Sequence, residues 1–229
     1  MVDFNVRNLW SFALFGREIW ITQTILNTWI IMLLLTGLAL FLRFKIRKME
    51  EMPRGVQNAV EAAVEASDGF VRSMAGEKAK FVSGWFFTVF VFIFVSNISG
   101  LFGLRPPTAD WPTNFALAIG TFLLIQIAGL RGRGRKYIKT FFQPIFIFFP
   151  LNVISELARP ISLSVRLFGN VMAGLVIMTL LYTLIPNFLT LIWPVALHAY
   201  FDLAMGILQT YVFCALSLAF IGAAAGQEE

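Results

Sequence analysis

Charged residues are scarce in this chain. They make up 14% of its 229 residues, whereas 58% of the residues are hydrophobic. A water-soluble domain carries about 25% charged residues, and a single core of this size could not hide so much apolar side chain. The composition therefore excludes a soluble globular protein and predicts an integral membrane protein.

Cysteine and histidine occur once each, as Cys214 and His198. A single cysteine excludes an internal disulfide bond, and Cys214 lies in an apolar run where we interpret it as a packing residue. A single histidine excludes a haem held by two histidines. Asp202 is the only aspartate inside an apolar run, which excludes the paired aspartates of an aspartic protease. We expect no metal ion and no cofactor.

Basic residues outnumber acidic ones by 18 to 13, but they do not form a patch with interleaved aromatic residues. Nucleic acid is therefore not an expected partner. The basic residues instead gather after two apolar runs, at 43–54 and 131–139. By the positive-inside rule, both clusters are predicted to be cytoplasmic, which puts the N-terminus outside and the C-terminus in the cytoplasm.

Five apolar segments are long enough to cross a lipid bilayer. They cover residues 21–42, 81–104, 113–130, 151–183 and 190–223. The first is followed, not preceded, by basic residues, so we expect a retained span and not a cleaved signal peptide. The last two exceed the thickness of the bilayer core, which predicts a strongly tilted helical hairpin. The expected fold is all-α and polytopic, with residues 1–229 in one membrane domain.

Residues 53–75 have a helix-forming composition but too many charges to cross the membrane. Val56, Val60 and Val64 recur at helical spacing, while Glu61 and Glu65 fall on other faces. This pattern predicts an amphipathic helix at the cytoplasmic interface. A helix in a soluble loop remains the alternative.

The most informative stretch is SELARPISLSVRLFGNVMAGLVIMTLL, residues 155–181, because it places Arg166 inside an apolar segment, with Glu156 and Arg159 before it. A guanidinium in hydrocarbon costs at least about 2.5 kcal/mol, so a function is expected to offset that cost. Steps of three or four residues give one polar and small-residue face on this helix: Arg159, Ser162, Arg166, Asn170 and Ala173. The last helix has a similar face: His198, Asp202, Met205 or Gly206, and Gln209.

Two interpretations of these polar side chains are open. Arg166 and Asp202 either mark an ion path or form a buried ion pair that fixes helix packing. Asn97 and Gln209 either line that path or supply hydrogen bonds between helices. A lone histidine is often a packing residue, but His198 lies one turn from Asp202, which favours a joint role.

Four stretches resemble subunit a of the F-type ATP synthase. They are ARPISLSVRLFGNVMAG, FVSNISGLFG, FFQPIFIFFPLNVISELARP and GILQTYVFCALSLAFIG, and the resemblance covers about residues 20–225. It implies that Arg166 is the essential arginine of the family. The other family positions that it matches are Ser162, Asn170, Asn97 and Gln209. The chain departs from many bacterial members at Leu175, where they carry an acidic residue, and at Asp202, where they carry a histidine. His198 is then the candidate substitute partner.

The resemblance implies a non-catalytic stator subunit in a bacterial-type cytoplasmic membrane, with ATP chemistry on other subunits. Its implied partners are the ring of c subunits, b-type peripheral stalk subunits and the rest of the synthase. Two half-channels would bring ions to and from the ring, and Arg166 would separate them. An ion-coupled secondary transporter or a channel unrelated to ATP synthase is the alternative. The chain shows no internal repeat of its charged hairpin, however, whereas such transporters are usually built from repeats.

Overall fold

The computed structural model describes residues 8–14, 17–46, 55–142, 145–184 and 193–226. Within these ranges the chain is mostly helical, and five helical stretches are long and apolar enough to cross a membrane. The predicted all-α, polytopic fold is confirmed. The stretches run over Gln23–Lys45, Glu77–Phe102, Trp111–Arg133, Phe146–Leu184 and Ala196–Ala225.

Eight α-helices are present in the described residues. They are α1 (Gln23–Lys45), α2 (Val56–Ala75), α3 (Ser83–Ile98), α4 (Trp111–Arg133), α5 (Arg135–Thr140), α6 (Phe149–Leu184), α7 (Trp193–His198) and α8 (Met205–Ala225). A π-helix, Ala199–Ala204, joins α7 to α8. The start of the segment predicted at 190–223 lies partly outside the described residues.

An antiparallel β-hairpin precedes α1 and was not predicted. It pairs β1 (Asn8–Leu14) with β2 (Arg17–Thr22), so that Leu14 lies opposite Arg17 and Ser11 opposite Trp20. Isoleucine and tryptophan in REIWIT favour a strand, but the same residues continue the apolar run of the first span. Thr22 ends the strand and begins the helix, since its side chain accepts a hydrogen bond from the Ile25 N–H at 3.4 Å.

Helix α8 lies at the centre of the bundle and packs against α2, α3, α4 and α6. Its buried residues include Phe213, Leu218 and Ile221, each no more than 1% exposed. Cys214 is buried in the same core, in agreement with its interpretation as a packing residue.

Helices α6 and α8 form an antiparallel hairpin. Arg159 lies over the ring of Phe220, 5.2 Å from its centroid, near one end of the pair. Tyr182 contacts His198 at the other end. Helix α6 has 36 residues, so at a rise of 1.5 Å per residue it is about 54 Å long, against about 30 Å for the bilayer core.

The predicted amphipathic helix is α2, and only the C-terminal half of its apolar face packs on the bundle. Ser67, Val71 and Ala75 are buried, and the Phe70 ring lies 5.7 Å from Phe86 and 5.8 Å from Tyr211. The helix thus rests against α3 and α8 through its C-terminal half.

The C-terminal ends of α4 and α8 meet in backbone contact. A methyl group at Gly132 would lie 2.2 Å from the carbonyl oxygen of Ala225, so only glycine fits there. Arg133 Nη2 donates a hydrogen bond to the carbonyl of Ala223 at 3.0 Å. The basic segment after α4 and the end of α8 therefore lie at the same end of the bundle.

Candidate functional site

A cavity of about 370 Å³ lies between α3, α6 and the segment that joins α7 to α8. Its wall brings together five of the predicted site residues: Asn97, Asn170, His198, Asp202 and Gln209. The cavity reaches from Arg105, in the α3–α4 connection, to Asn170, one helical turn from Arg166. Leu175 contributes an aliphatic part of the wall.

Asp202 projects from the π-helix Ala199–Ala204. In a π-helix the N–H bonds to the carbonyl five residues earlier, and such turns occur frequently at functional sites. The N–H of Met205 bonds in this way to the carbonyl of Tyr200. Across the cavity, a methyl group at Gly100 would lie 3.2 Å from Asp202 Cγ, so glycine gives the carboxylate its room.

His198 links two other polar side chains. Its Nδ1 lies 2.6 Å from Asp202 Oδ2, and its Nε2 lies 3.1 Å from the hydroxyl of Tyr182 on α6. The sequence indicated the first contact through its four-residue spacing. Tyr182 was missed, because its contact with His198 exists only once α6 and α7 fold against each other.

Gln209 meets Asn170 deep in the cavity. The Asn170 Nδ2 donates to Gln209 Oε1, and Gln209 is only 2% exposed. Its Nε2 has no hydrogen-bond partner among the described residues. A buried amide left unpaired costs about 1–3 kcal/mol, so this N–H is available to a polar group that enters the cavity.

Asn97 is held in a network between helices. Its Nδ2 donates to the Gly206 carbonyl at 3.1 Å and to Thr210 Oγ1 at 3.3 Å, and its Oδ1 accepts from Thr108 Oγ1 at 2.8 Å. Its hydrogen-bonding groups are therefore occupied by protein, as expected of a side chain that fixes α3 against α8. Asn114 extends the network with a hydrogen bond to the Thr108 carbonyl at 2.7 Å.

Arg166 is exposed near the middle of α6, on the same face as the exposed Ser162. Within the described ranges it has no ion-pair partner, and the Asp202 carboxylate is instead bonded to His198. The alternative of a buried Arg166–Asp202 ion pair is therefore wrong for this arrangement. The guanidinium is left facing outward from the bundle.

Glu156 and Arg159 lie at the other end of α6, away from the cavity. They pair with each other at 2.6 Å, so Arg159 is not a free charge of the Arg166 face. Tyr137 on α5 is nearby and donates to Gln126 Oε1 at 3.1 Å. Burial raises the pKa of the Tyr137 hydroxyl, and the Glu156 carboxylate raises this pKa further.

A known protein family matches most of this chain. The family model described as ATP synthase A chain matches residues 25–222. The chain belongs to the ATP synthase subunit a family. It is 40% identical to ATP synthase subunit a of Moorella thermoacetica over 203 residues, which is 88% of this chain and 89% of the relative.

Two further relatives show the spread of the family. ATP synthase subunit a 2 of a Bradyrhizobium species is 36% identical over 90% of each chain. The sodium ion specific ATP synthase subunit a of Propionigenium modestum is 32% identical, over 91% of this chain and 76% of the relative. Membership of this family makes the chain a membrane component of an ATP synthase complex, and the resemblance seen in the sequence is confirmed.

Proposed function

We propose that this chain is the stator subunit that forms two ion half-channels against a ring of c subunits and couples ion flow to rotation. The observation that carries the proposal is the exposed, unpartnered Arg166 in the middle of a membrane-spanning helix. A charge in lipid is costly, so this position requires a facing carboxylate from another protein. A ring that carries one carboxylate on each subunit would present such a partner repeatedly.

Arginine suits this position because its guanidinium stays charged where burial would neutralise a lysine. Its positive charge would favour the ionised form of each passing carboxylate and so release the carried ion. It would also block direct passage of cations between the half-channels. Ser162, exposed on the same face, would lie against the ring beside it.

The cavity supports an outer half-channel. Asp202 and His198 supply its titratable groups, and Asn170 and Gln209 lead to the turn that carries Arg166. Asp202 stands where many family members carry a histidine, and Leu175 cannot titrate. The pair of His198 and Asp202 would therefore perform the ionisable step within one helical segment.

The inner half-channel would lie toward the opposite end of α6, where Glu156 and Arg159 pair. Glu156 Oε2 is buried and has no partner in the described part of the chain, so it could accept a hydrogen bond from an ion-carrying group. With the basic segments cytoplasmic, this end would face the cytoplasm of a bacterial-type cell. A b-type peripheral stalk would hold the subunit still, and ATP chemistry would take place on the soluble subunits.

Replacement of Arg166 tests the proposal in the assembled synthase, reconstituted in vesicles with an imposed ion gradient. We expect Arg166→Ala to abolish ATP synthesis and to permit a passive ion leak, and Arg166→Lys to fail to restore coupling. Arg131→Ala is the matched control, because Arg131 lies over the Phe81 ring at the end of α4, 4.5 Å from its centroid. Gradient-driven synthesis at the normal rate in Arg166→Ala would refute the stator role.

A further inference from the structure

Tyr182 extends the His198–Asp202 pair into a row of three hydrogen-bonded side chains. The Tyr182 hydroxyl lies 3.1 Å from His198 Nε2, and His198 Nδ1 lies 2.6 Å from Asp202 Oδ2. Both ring nitrogens of His198 are thus occupied. The row joins the last turn of α6 to α7 and to the π-helix, and it leads along the cavity toward Gln209.

We propose that Tyr182 is the positioning residue of His198, and that Tyr182, His198 and Asp202 form a proton relay at the outer end of the cavity. The ion that enters there is then a proton. The inference rests on the proposed function, because it assigns a carried ion and a further residue to the outer half-channel.

A hydroxyl group suits this position because it both donates and accepts hydrogen bonds. With the Asp202 carboxylate as its acceptor, Nδ1 of His198 carries a hydrogen. Nε2 then accepts the Tyr182 O–H when the ring is neutral and donates to the Tyr182 oxygen when the ring is protonated. His198 can therefore change its charge without loss of either partner.

The transfer conserves protons. One proton binds Nε2 and produces the imidazolium, and the proton on Nδ1 then passes to the Asp202 carboxylate. His198 is left neutral with its hydrogen on Nε2, which the Tyr182 oxygen still accepts. When Asp202 releases its proton into the cavity, the hydrogen on Nε2 returns to Nδ1 by exchange through water, which restores the starting tautomer.

Exposure falls along this route. Tyr182 is 41% exposed, the side chains of His198 and Asp202 are 35% and 21% exposed, and Gln209 is 2% exposed. Such an order is expected of a path that leads from the surface inward. The relay thus ends where the cavity approaches the turn that carries Arg166.

Other ionisable groups near the relay are engaged in contacts of their own. Arg105 lines the same cavity and is paired with Asp110 at 3.0 Å. Tyr200 is two residues from His198, but its ring contacts Phe201 edge to face at 5.0 Å. In the part of the chain that the structure describes, only Tyr182 and Asp202 make a hydrogen bond or ion pair with His198.

The test is the Tyr182→Phe variant in the whole synthase, with ATP-driven proton uptake and gradient-driven synthesis measured per assembled complex across pH. Phenylalanine retains the ring at an exposed position, so we expect normal assembly. In this variant, protonated His198 loses its charge-assisted hydrogen bond to the Tyr182 oxygen. That bond is stronger than the hydrogen bond between Tyr182 and the neutral ring. We therefore expect the limb of the profile that depends on His198 to move about 0.5–1 pH unit toward acid.

Tyr200→Phe is the matched control and should leave the profile unchanged. An unchanged profile in Tyr182→Phe would overturn the inference, and so would an equal shift in a His198→Ala background. Uptake of sodium without uptake of protons would also overturn it, while the proposed stator function would stand. If Arg166→Ala kept normal coupling, the proposed function itself would fail.

Discussion

Asn27 Nδ2 donates a hydrogen bond to the backbone carbonyl of Arg105 at 3.0 Å. This contact joins the first turns of α1 to the connection between α3 and α4. The contact of Arg133 with the Ala223 carbonyl joins the C-terminal ends of α4 and α8 in the same way. Since α4 runs from Trp111 to Arg133, the two contacts lie at opposite ends of the bundle.

These two contacts predict which positions share a side of the membrane. A cysteine in place of Phe102, which is 79% exposed, should react with an impermeant thiol reagent only from outside the cell. A cysteine in place of Ile138, which is 51% exposed, should react only from the cytoplasmic side. The native chain is the control, because its single cysteine, Cys214, is buried. Labelling of both positions from one side would contradict the orientation.

Asp202→Asn should slow ATP synthesis driven by an outer ion gradient, by about a hundredfold or more per assembled complex. Asparagine still accepts the His198 hydrogen bond through its oxygen but cannot bind and release a proton. Asp68→Asn is the control, since Asp68 accepts a hydrogen bond from Ser83 at a distance from the cavity. The half-channel role of Asp202 is wrong if the variant retains the native rate at every pH.

Asn97→Leu should reduce stability and leave the pH profile unchanged. It leaves the Gly206 carbonyl and Thr108 without the Asn97 amide, and each unpaired buried group costs about 1–3 kcal/mol. The measurement is the amount of assembled complex recovered from membranes, together with the transport rate per complex. Thr88→Val, on an exposed part of α3, should assemble normally. A changed pH profile with full assembly would instead favour a place for Asn97 in the ion path.

Gly132→Ala should destabilise the packing of α4 on α8 by about 1–3 kcal/mol, because backbone atoms must move to admit the methyl group. Gly37→Ala is the control, since nothing lies within 4 Å of a methyl group at that position of α1. Thermal dissociation of the purified complex would measure the difference. Equal stability of the two variants would mean that the close approach at Gly132 is absent in the assembled synthase.

The spans were predictable because twenty or so apolar residues in sequence have few alternatives to a membrane helix. The close pairing of Glu156 with Arg159 also follows from a local spacing of three residues. The β-hairpin was not predictable in the same way. Its second strand and the first span share one continuous apolar run, and composition alone does not separate them.

The sequence predicted which residues form the site, but not the contacts between them across helices. Helical spacing brought His198, Asp202 and Gln209 to one face, and all three line the cavity. The partners of Asn97, at Gly206 and Thr210, are more than a hundred residues away in sequence. Neither this network nor the contact of Tyr182 with His198 has a local signal, because packing between helices creates both.

The π-helix at Ala199–Ala204 makes the length of the chain, and not only its side chains, part of the site. A π turn holds roughly one residue more than an α turn. If the same residues formed a regular α-helix, everything before the segment would rotate by about 100° relative to α8. His198 would then turn away from Tyr182, while Gln209 would keep its place. The extra residue of the π turn thus holds the two halves of the cavity wall together, independently of the side chains that form the wall.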